Sequence, residues 1–242
     1  MSKRKINIGT SGWHYKHWKG TFYPSDVKKA QQLSYYLRQF STVEINNSFY
    51  RLPKPETFAM WRQSTPPDFL FAVKASRFIT HMKKLNMNRQ ELKKFFTSVN
   101  RMREKVGVIL FQVPPRWKVN AERLNTFISI LPKKYRYAFE FRETSWYNET
   151  VYAILRKHNC AFCLYELAHH MSPHEITADF VYIRLHGPGN KYQGSYSDDS
   201  LKEWAKRCKQ WQKQGKDVFV YFDNDQEGYA AFNALTLKKL VR

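Results

Sequence analysis

Short blocks of alternating apolar and polar residues recur along the chain, separated by stretches in which apolar residues return at helical spacing. The alternating blocks predict eight strands: Lys5–Gly9, Thr42–Asn46, Phe69–Lys74, Val106–Gln112, Arg136–Phe141, Cys160–Tyr165, Phe180–Leu185 and Asp217–Phe222. The helical spacing predicts helices over Asp26–Phe40 with Ser25 as N-cap, Pro55–Gln63, Arg89–Arg103, Ala121–Ile130, Asn148–Lys157, Asp198–Gln214 and Gly228–Leu240. A long polar loop through His81 follows the third strand, and no helix period follows the sixth.

Eight strands alternating with seven or eight helices predict an α/β fold, a TIM-type (β/α)8 barrel, irregular where the helix after strand six is weak or missing. The parity of side chains favours this over a doubly wound open sheet. Thr42, Glu44 and Asn46 oppose Val43 and Ile45; Ala72 and Lys74 oppose Phe71 and Val73. Leu110 and Gln112 oppose Ile109 and Phe111; Tyr182, Arg184 and His186 oppose Ile183 and Leu185. A barrel strand has one apolar face towards its helices and an inner face that turns polar near its C-terminal end. A flat sheet covered on both faces gives apolar runs instead. No repeat or linker interrupts the pattern, so residues 1–242 read as a single domain.

Charge changes this picture. Lys and Arg total 41 against 20 Asp and Glu, a formal charge of +21. Such an excess suits an anionic small molecule or nucleic acid as partner, or serves solubility alone. Aromatic residues reach 17%, enough to line a cleft or fill large packed surfaces. The basic start Met1–Lys5 leads into a strand and not into a signal-peptide core, and no apolar run has membrane length. Three cysteines, an odd number, suit reduced thiols and a cytoplasmic protein. Cys160 and Cys163 lie three apart on one strand and face opposite sides, so they do not share a metal. His169, His170 and His174 read as a solvated loop.

In a barrel the inward polar residues gather at the C-terminal ends of the strands, where barrel enzymes carry their chemistry. Here they are Glu44, Asn46, Lys74, Gln112, Glu140, Arg142, Arg184, His186 and Asn224. Glu140, His186 and Glu44 are the acid–base candidates. Lys74, Arg142 and Arg184 are candidates to hold an anion, with Gln112, Asn46 and Asn224 to orient it. Trp13, Tyr192 and Tyr196 are candidate stacking surfaces. The alternative is an ion-pair layer that plugs the barrel. The glycine-rich loop after His186 suits either a phosphate cradle or a flexible connection. Glu44 and Glu140, from strands two and five, are too far apart for a retaining glycosidase. Gly9-Thr-Ser-Gly-Trp13 lacks the nucleophile-elbow spacing. No cofactor or metal is evident from the residues.

Several stretches resemble one family, the YecE-like proteins or domain of unknown function 72. They are Gly9–Trp13, Trp18–Pro24, Val43–Pro53, Phe71–His81, Phe111–Pro115, Phe139–Trp146, Tyr182–Gly187 and Tyr221–Asp225. The resemblance spans nearly the whole chain and implies a TIM-type barrel with a shared pocket, but no reaction. Two positions depart from the family pattern: Glu143 stands where the family usually has His, and Asp223 where it usually has Asn. The leading expectation is an enzyme acting on a phosphate-bearing substrate, nucleic acid included. The alternatives are a non-catalytic nucleic-acid-binding protein and a divalent-metal-dependent hydrolase.

Overall fold

The computed structural model describes residues 4–242, so the basic start at residues 1–3 lies outside the described residues. Among the described residues nine strands form: β1 (Ile6–Thr10), β2 (Thr42–Ile45), β3 (Leu70–Lys74), β4 (Val106–Gln112), β5 (Tyr137–Glu140), β6 (Ala161–Leu167), β7 (His170–Met171), β8 (Phe180–Leu185) and β9 (Asp217–Phe222). Their hydrogen-bonded order is β1-β9-β8-β6-β5-β4-β3-β2, with the short β7 antiparallel to β6. A parallel bridge between Ser11 and Glu44 joins the ends of β1 and β2. The eight longer strands therefore make the nearly closed parallel barrel of the (β/α)8 class.

The helices are α1 (Gln32–Gln39), α2 (Asn47–Tyr50), α3 (Pro55–Gln63), α4 (Arg89–Val99), α5 (Ala121–Ser129), α6 (Glu149–Lys157), α7 (Asp198–Lys213) and α8 (Tyr229–Leu240). Short polar side chains start several of them. Asn88 accepts from Glu91 N while the Glu91 carboxylate accepts from Asn88 N. Asn120, Asn148 and Ser197 cap α5, α6 and α7 by accepting from the backbone N–H of Arg123, Val151 and Ser200. Among the described residues, no helix is long and apolar enough to cross a membrane.

By contact density the chain divides into two compact units. The first holds the residues up to Glu44, Leu164–His174 and Asp179–Arg242. Within it β1 pairs with β9 from Ile6–Val218 to Thr10–Phe222, and β9 pairs with β8 from Asp217–Phe180 to Phe222–Leu185. The second unit holds Ile45–Cys163 and Glu175–Ala178. Within it β3, β4 and β5 run side by side, with Lys74 beside Leu110 and Gln112 beside Glu140. Backbone bonds continue just past the strand ends, from Ala75 N to Leu110 O (2.8 Å) and from Val113 N to Glu140 O (3.0 Å). That lock fixes where the last side chains of these strands point.

Three local expectations change. The helix expected over 26–40 begins later, as a 3-10 turn at Lys29–Gln31 that leads into α1. Lys28 and Lys29 put cations at a helix N-terminus, where the helix dipole disfavours them. Lys28 N instead donates to the Gln31 side chain at 2.9 Å. The loop expected through His81 contains a single π-helical turn at Phe78–Met82. After β6, where no helix was expected, a hairpin forms: Ala168 and His169 both take positive φ (49° and 63°). That is the backbone of a type I′ turn, and it brings Met171 opposite Glu166.

Candidate functional site

The polar residues predicted at the strand ends fall into two clusters, one in each unit. In the first unit the centre is Arg184, at the end of β8 and fully buried. Its Nε donates to both oxygens of Glu44, at 3.1 and 3.0 Å. Its NH2 donates to Glu44 Oε1 at 2.7 Å and to Asp223 Oδ2 at 3.1 Å. Glu44, equally buried, also accepts from Ser11 Oγ (2.5 Å) and from Tyr182 OH (2.6 Å). Both oxygens of that carboxylate are thus held by fixed donors.

His186 completes this network. Its Nδ1 lies 3.0 Å from Asp223 Oδ2 and its Nε2 lies 3.3 Å from Arg184 NH1. A carboxylate only accepts and a guanidinium only donates, so Nδ1 carries the proton and Nε2 accepts. The imidazole is held as one neutral tautomer, with the Tyr192 ring edge-on at 5.4 Å. Tyr15 donates to Ser11 O. Burial, followed by the charges of Asp223, Asp225 and Glu44, raises its hydroxyl well above the ordinary value, so it stays protonated.

The glycine-rich loop after β8 is folded on itself. Gly187 N donates to Tyr196 OH at 3.1 Å and Gly194 N to Gln226 Oε1 at 3.3 Å. A Cβ on Gly187, whose φ is +111°, would stand 2.2 Å from Gln193 O. These glycines serve close backbone approach rather than a cradle of open N–H groups. Tyr196, expected as a stacking surface, is buried and so closed to a stacking partner. Asn224 is buried too and donates to Gly194 O (2.9 Å) and Asn233 Oδ1 (2.8 Å). Trp13 gives its carbonyl to Tyr23 OH at 2.6 Å.

Beside this network Asp225 accepts from Trp18 Nε1 at 2.6 Å and meets His17 Nε2 at 2.9 Å. Burial raises its carboxyl from the ordinary 3.8 to about 7, although the bonds from Trp18 and His17 oppose the shift. The folded chain therefore keeps this proton up to about pH 7, whereas the unfolded chain loses it near pH 4. Stability falls as pH rises between those values. Asp225→Asn removes the ionisation and leaves an amide oxygen for Trp18. Its melting temperature relative to the unmodified protein is expected to rise between pH 5 and pH 8 in thermal scans. A difference independent of pH would contradict this.

The second cluster is built from the ends of β2–β5. Asn46 follows β2 and opens α2, Lys74 ends β3, Gln112 ends β4, Glu140 ends β5, and Arg142 lies two residues further on. Glu140 is fully buried and Oε1 accepts from Arg142 Nε, which fixes the plane of the guanidinium. Lys74 Nζ stands 4.5 Å over the Phe49 ring. Ser48 Oγ ties α2 to the end of β3 through Lys74 O, at 2.6 Å. Asn46 Oδ1 and Gln112 Oε1 are buried with no hydrogen-bond partner in the protein.

His81, which sequence reasoning left in a loop, belongs to this cluster. The π turn sets its ring edge-on to Phe49, with centroids 5.0 Å apart. Burial, then Lys74, Arg77 and Arg142, lower its pKa to about 4, against the pull of Glu140. Thr80 Oγ1 lies 2.9 Å from His81 Nδ1 and 3.4 Å from Ser76 O; a hydroxyl that donates to Ser76 O accepts from His81 Nδ1–H. The lone pair is then on Nε2. The signal in the sequence was a stretch, Leu70–Gln90, that holds Lys74, Arg77, His81, Lys83, Lys84 and Arg89 without one Asp or Glu.

The two residues that depart from the family pattern have local partners. Asp223 joins Arg184 to His186. Glu143 accepts from Ser145 N at 3.1 Å and from Ser145 Oγ, starting a short 3-10 turn. Among the described residues, no group of three or more His, Cys, Asp or Glu side chains is arranged to hold a metal ion. Cys160, Cys163 and Cys208 are buried free thiols, and burial pushes Cys160 and Cys208 up to about 12.

A (β/α)8 barrel with an ion-pair network at one set of strand ends and a cationic, histidine-bearing cluster at another defines the class of this protein. The chain belongs to the family described as "Protein of unknown function DUF72", whose model matches residues 7–242. It is similar to the UPF0759 protein YunF of Bacillus subtilis, 23% identical over 98% of this chain and 94% of YunF. It also matches the UPF0759 protein YecE of Escherichia coli, 29% identical over 59% of this chain and 50% of YecE. A crystal structure of a DUF72 family protein from Thermotoga maritima is 30% identical with a TM-score of 0.89, covering 98% of this chain and 99% of that one.

Proposed function

We propose that this protein is an enzyme acting on a phosphate-bearing substrate bound at the ends of β2–β5. The carrying observation is the setting of His81, where Lys74, Arg77 and Arg142 act on one ring against the single carboxylate Glu140. Positive potential in a partly buried place favours an anion. In this reading Lys74 and Arg142 bind phosphate oxygens, and Glu140 positions Arg142. The amides of Asn46 and Gln112 each offer a donor and an acceptor, and so suit a substrate with hydroxyl groups beside its phosphate.

His81 is the proton carrier. As water oxygen bonds to phosphorus, Nε2 takes a water proton; the ester P–O bond breaks and the proton passes to the leaving alkoxide. A bound phosphate offsets the cations around the ring and brings its pKa towards neutrality, where a general base works best. Glu44, Arg184 and His186 are assigned a scaffolding part, because their polar atoms are bonded to one another. The test is a panel of phosphomonoesters and phosphodiesters. We expect turnover that falls at least ~100-fold in His81→Gln and falls in Glu140→Gln. Equal turnover in His81→Gln, or no turnover of any ester, would contradict the reading.

A further inference from the structure

We infer that the ligand of this site is single-stranded nucleic acid, with its backbone over the ends of β2–β5 and its bases stacked on Tyr50 and Phe78. The inference rests on the phosphate reading of that site and gives it a substrate class. Tyr50 is 74% exposed, Phe78 43% and Met82 65%, and what sets them apart from other exposed apolar side chains is their place beside a charged cluster. They are continuous with the cationic cluster. The Tyr50 ring stands edge-on to Phe49, with centroids 5.1 Å apart, and Phe49 carries Lys74 on its face and His81 at its edge. Phe78 and Met82 open and close the π turn that bears His81.

The charge around these rings is mostly positive. The segments Ile45–Pro55 and Leu70–Gln90 contain Arg51, Lys54, Lys74, Arg77, Lys83, Lys84 and Arg89 and no acidic residue. Arg51 and Arg77 are exposed beside Tyr50 and Phe78. Lys83 Nζ stands 5.7 Å from the Phe78 ring and also reaches Glu91 at 3.4 Å. Exposed rings interleaved with cations match a strand whose bases are open to stacking and whose phosphates need neutralising. A duplex hides its base faces and offers the rings nothing to stack on. A protein partner of ordinary composition would not ask for so large an excess of cations.

The experiment is fluorescence anisotropy with a labelled fifteen-nucleotide DNA strand, its RNA counterpart and the matching duplex, at several salt concentrations. Tyr50→Ala and Phe78→Ala are each expected to weaken single-strand binding about five- to a hundredfold. Met60→Ala, another exposed apolar side chain, and Lys213→Ala on α7 should leave it within about twofold. The duplex should bind more weakly. With three or four phosphates engaged, log affinity should fall against log salt with a slope of roughly −2 to −3. Wild-type affinity in both ring variants, or a duplex that binds as tightly as the single strand, overturns the inference. If oligonucleotides fail to bind while a phosphate monoester still shifts the His81 resonances, the nucleic-acid assignment falls and the phosphate site stands. If neither binds, both fall.

Discussion

Arg184→Met is expected to destabilise the protein by about 3–5 kcal/mol in urea unfolding. The side chain is fully buried and its guanidinium reaches Glu44 and Asp223 together. Removing it leaves the Glu44 carboxylate, also fully buried, with only the hydroxyls of Ser11 and Tyr182 among the donors described above. It also takes away the donor to His186 Nε2. Breaking one side of a buried pair is far more harmful than replacing the whole pair, because the remaining charge has lost its compensation. The double variant Glu44→Gln/Arg184→Met should therefore lose less than the sum of the two single losses, by about 0.5–3 kcal/mol. A loss below about 1 kcal/mol in Arg184→Met, or strict additivity, would show that the network does not hold this unit together.

Lys74→Ala carries the largest expected effect on binding. A charge-assisted hydrogen bond to phosphate contributes about 1.5–3 kcal/mol, so affinity for a phosphate monoester should fall roughly tenfold to 150-fold by isothermal titration. Stability should change much less, because Lys74 sits at a strand end over Phe49 and not in the apolar layer between strands and helices. The same substitution removes one of the cations that lower His81. The ring should therefore titrate at higher pH in unliganded Lys74→Ala than in the unmodified protein. The lowered folded-state value also fixes the sign of the acid response. Between about pH 6.5 and pH 4 the unfolded chain takes up a proton at His81 that the folded chain refuses, so this group lowers stability as pH falls through that window.

Much of the architecture was legible because strand parity and helix caps are local. The spans of β4, β8 and β9 coincide with those expected from the alternation of side chains, and that of α3 with the one expected from helical spacing. Asn148 caps α6 where the helical spacing began. What the pattern could not show depended on backbone conformation without a residue signature. Ala168 and His169 take the positive φ angles usually left to Asn and Gly, so the hairpin after β6 had no turn signal. The four-residue α2 is too short to show a period.

At the strand ends, parity identified which residues face inward but not what they bond to. Arg184 and Lys74 look alike in sequence, each a cation closing an alternating strand. Arg184 is tied to two carboxylates, whereas Lys74 lies with Arg142 and Glu140 around His81. That difference comes from cross-strand neighbours far apart in the chain. His81 was missed because a single π turn places it, although the acid-free stretch around it was open to view.

The most direct test of the phosphate site is the pH titration of the His81 imidazole by NMR, with and without saturating ribose 5-phosphate. The ring titrates near pH 4 in the free protein. Its pKa should rise on binding, because the dianion offsets the charges of Lys74, Arg77 and Arg142. The contribution of His81 to affinity should then increase as pH falls from that higher value towards about 4. Identical His81 titrations with and without the ester would contradict the assignment of the phosphate to the ends of β2–β5.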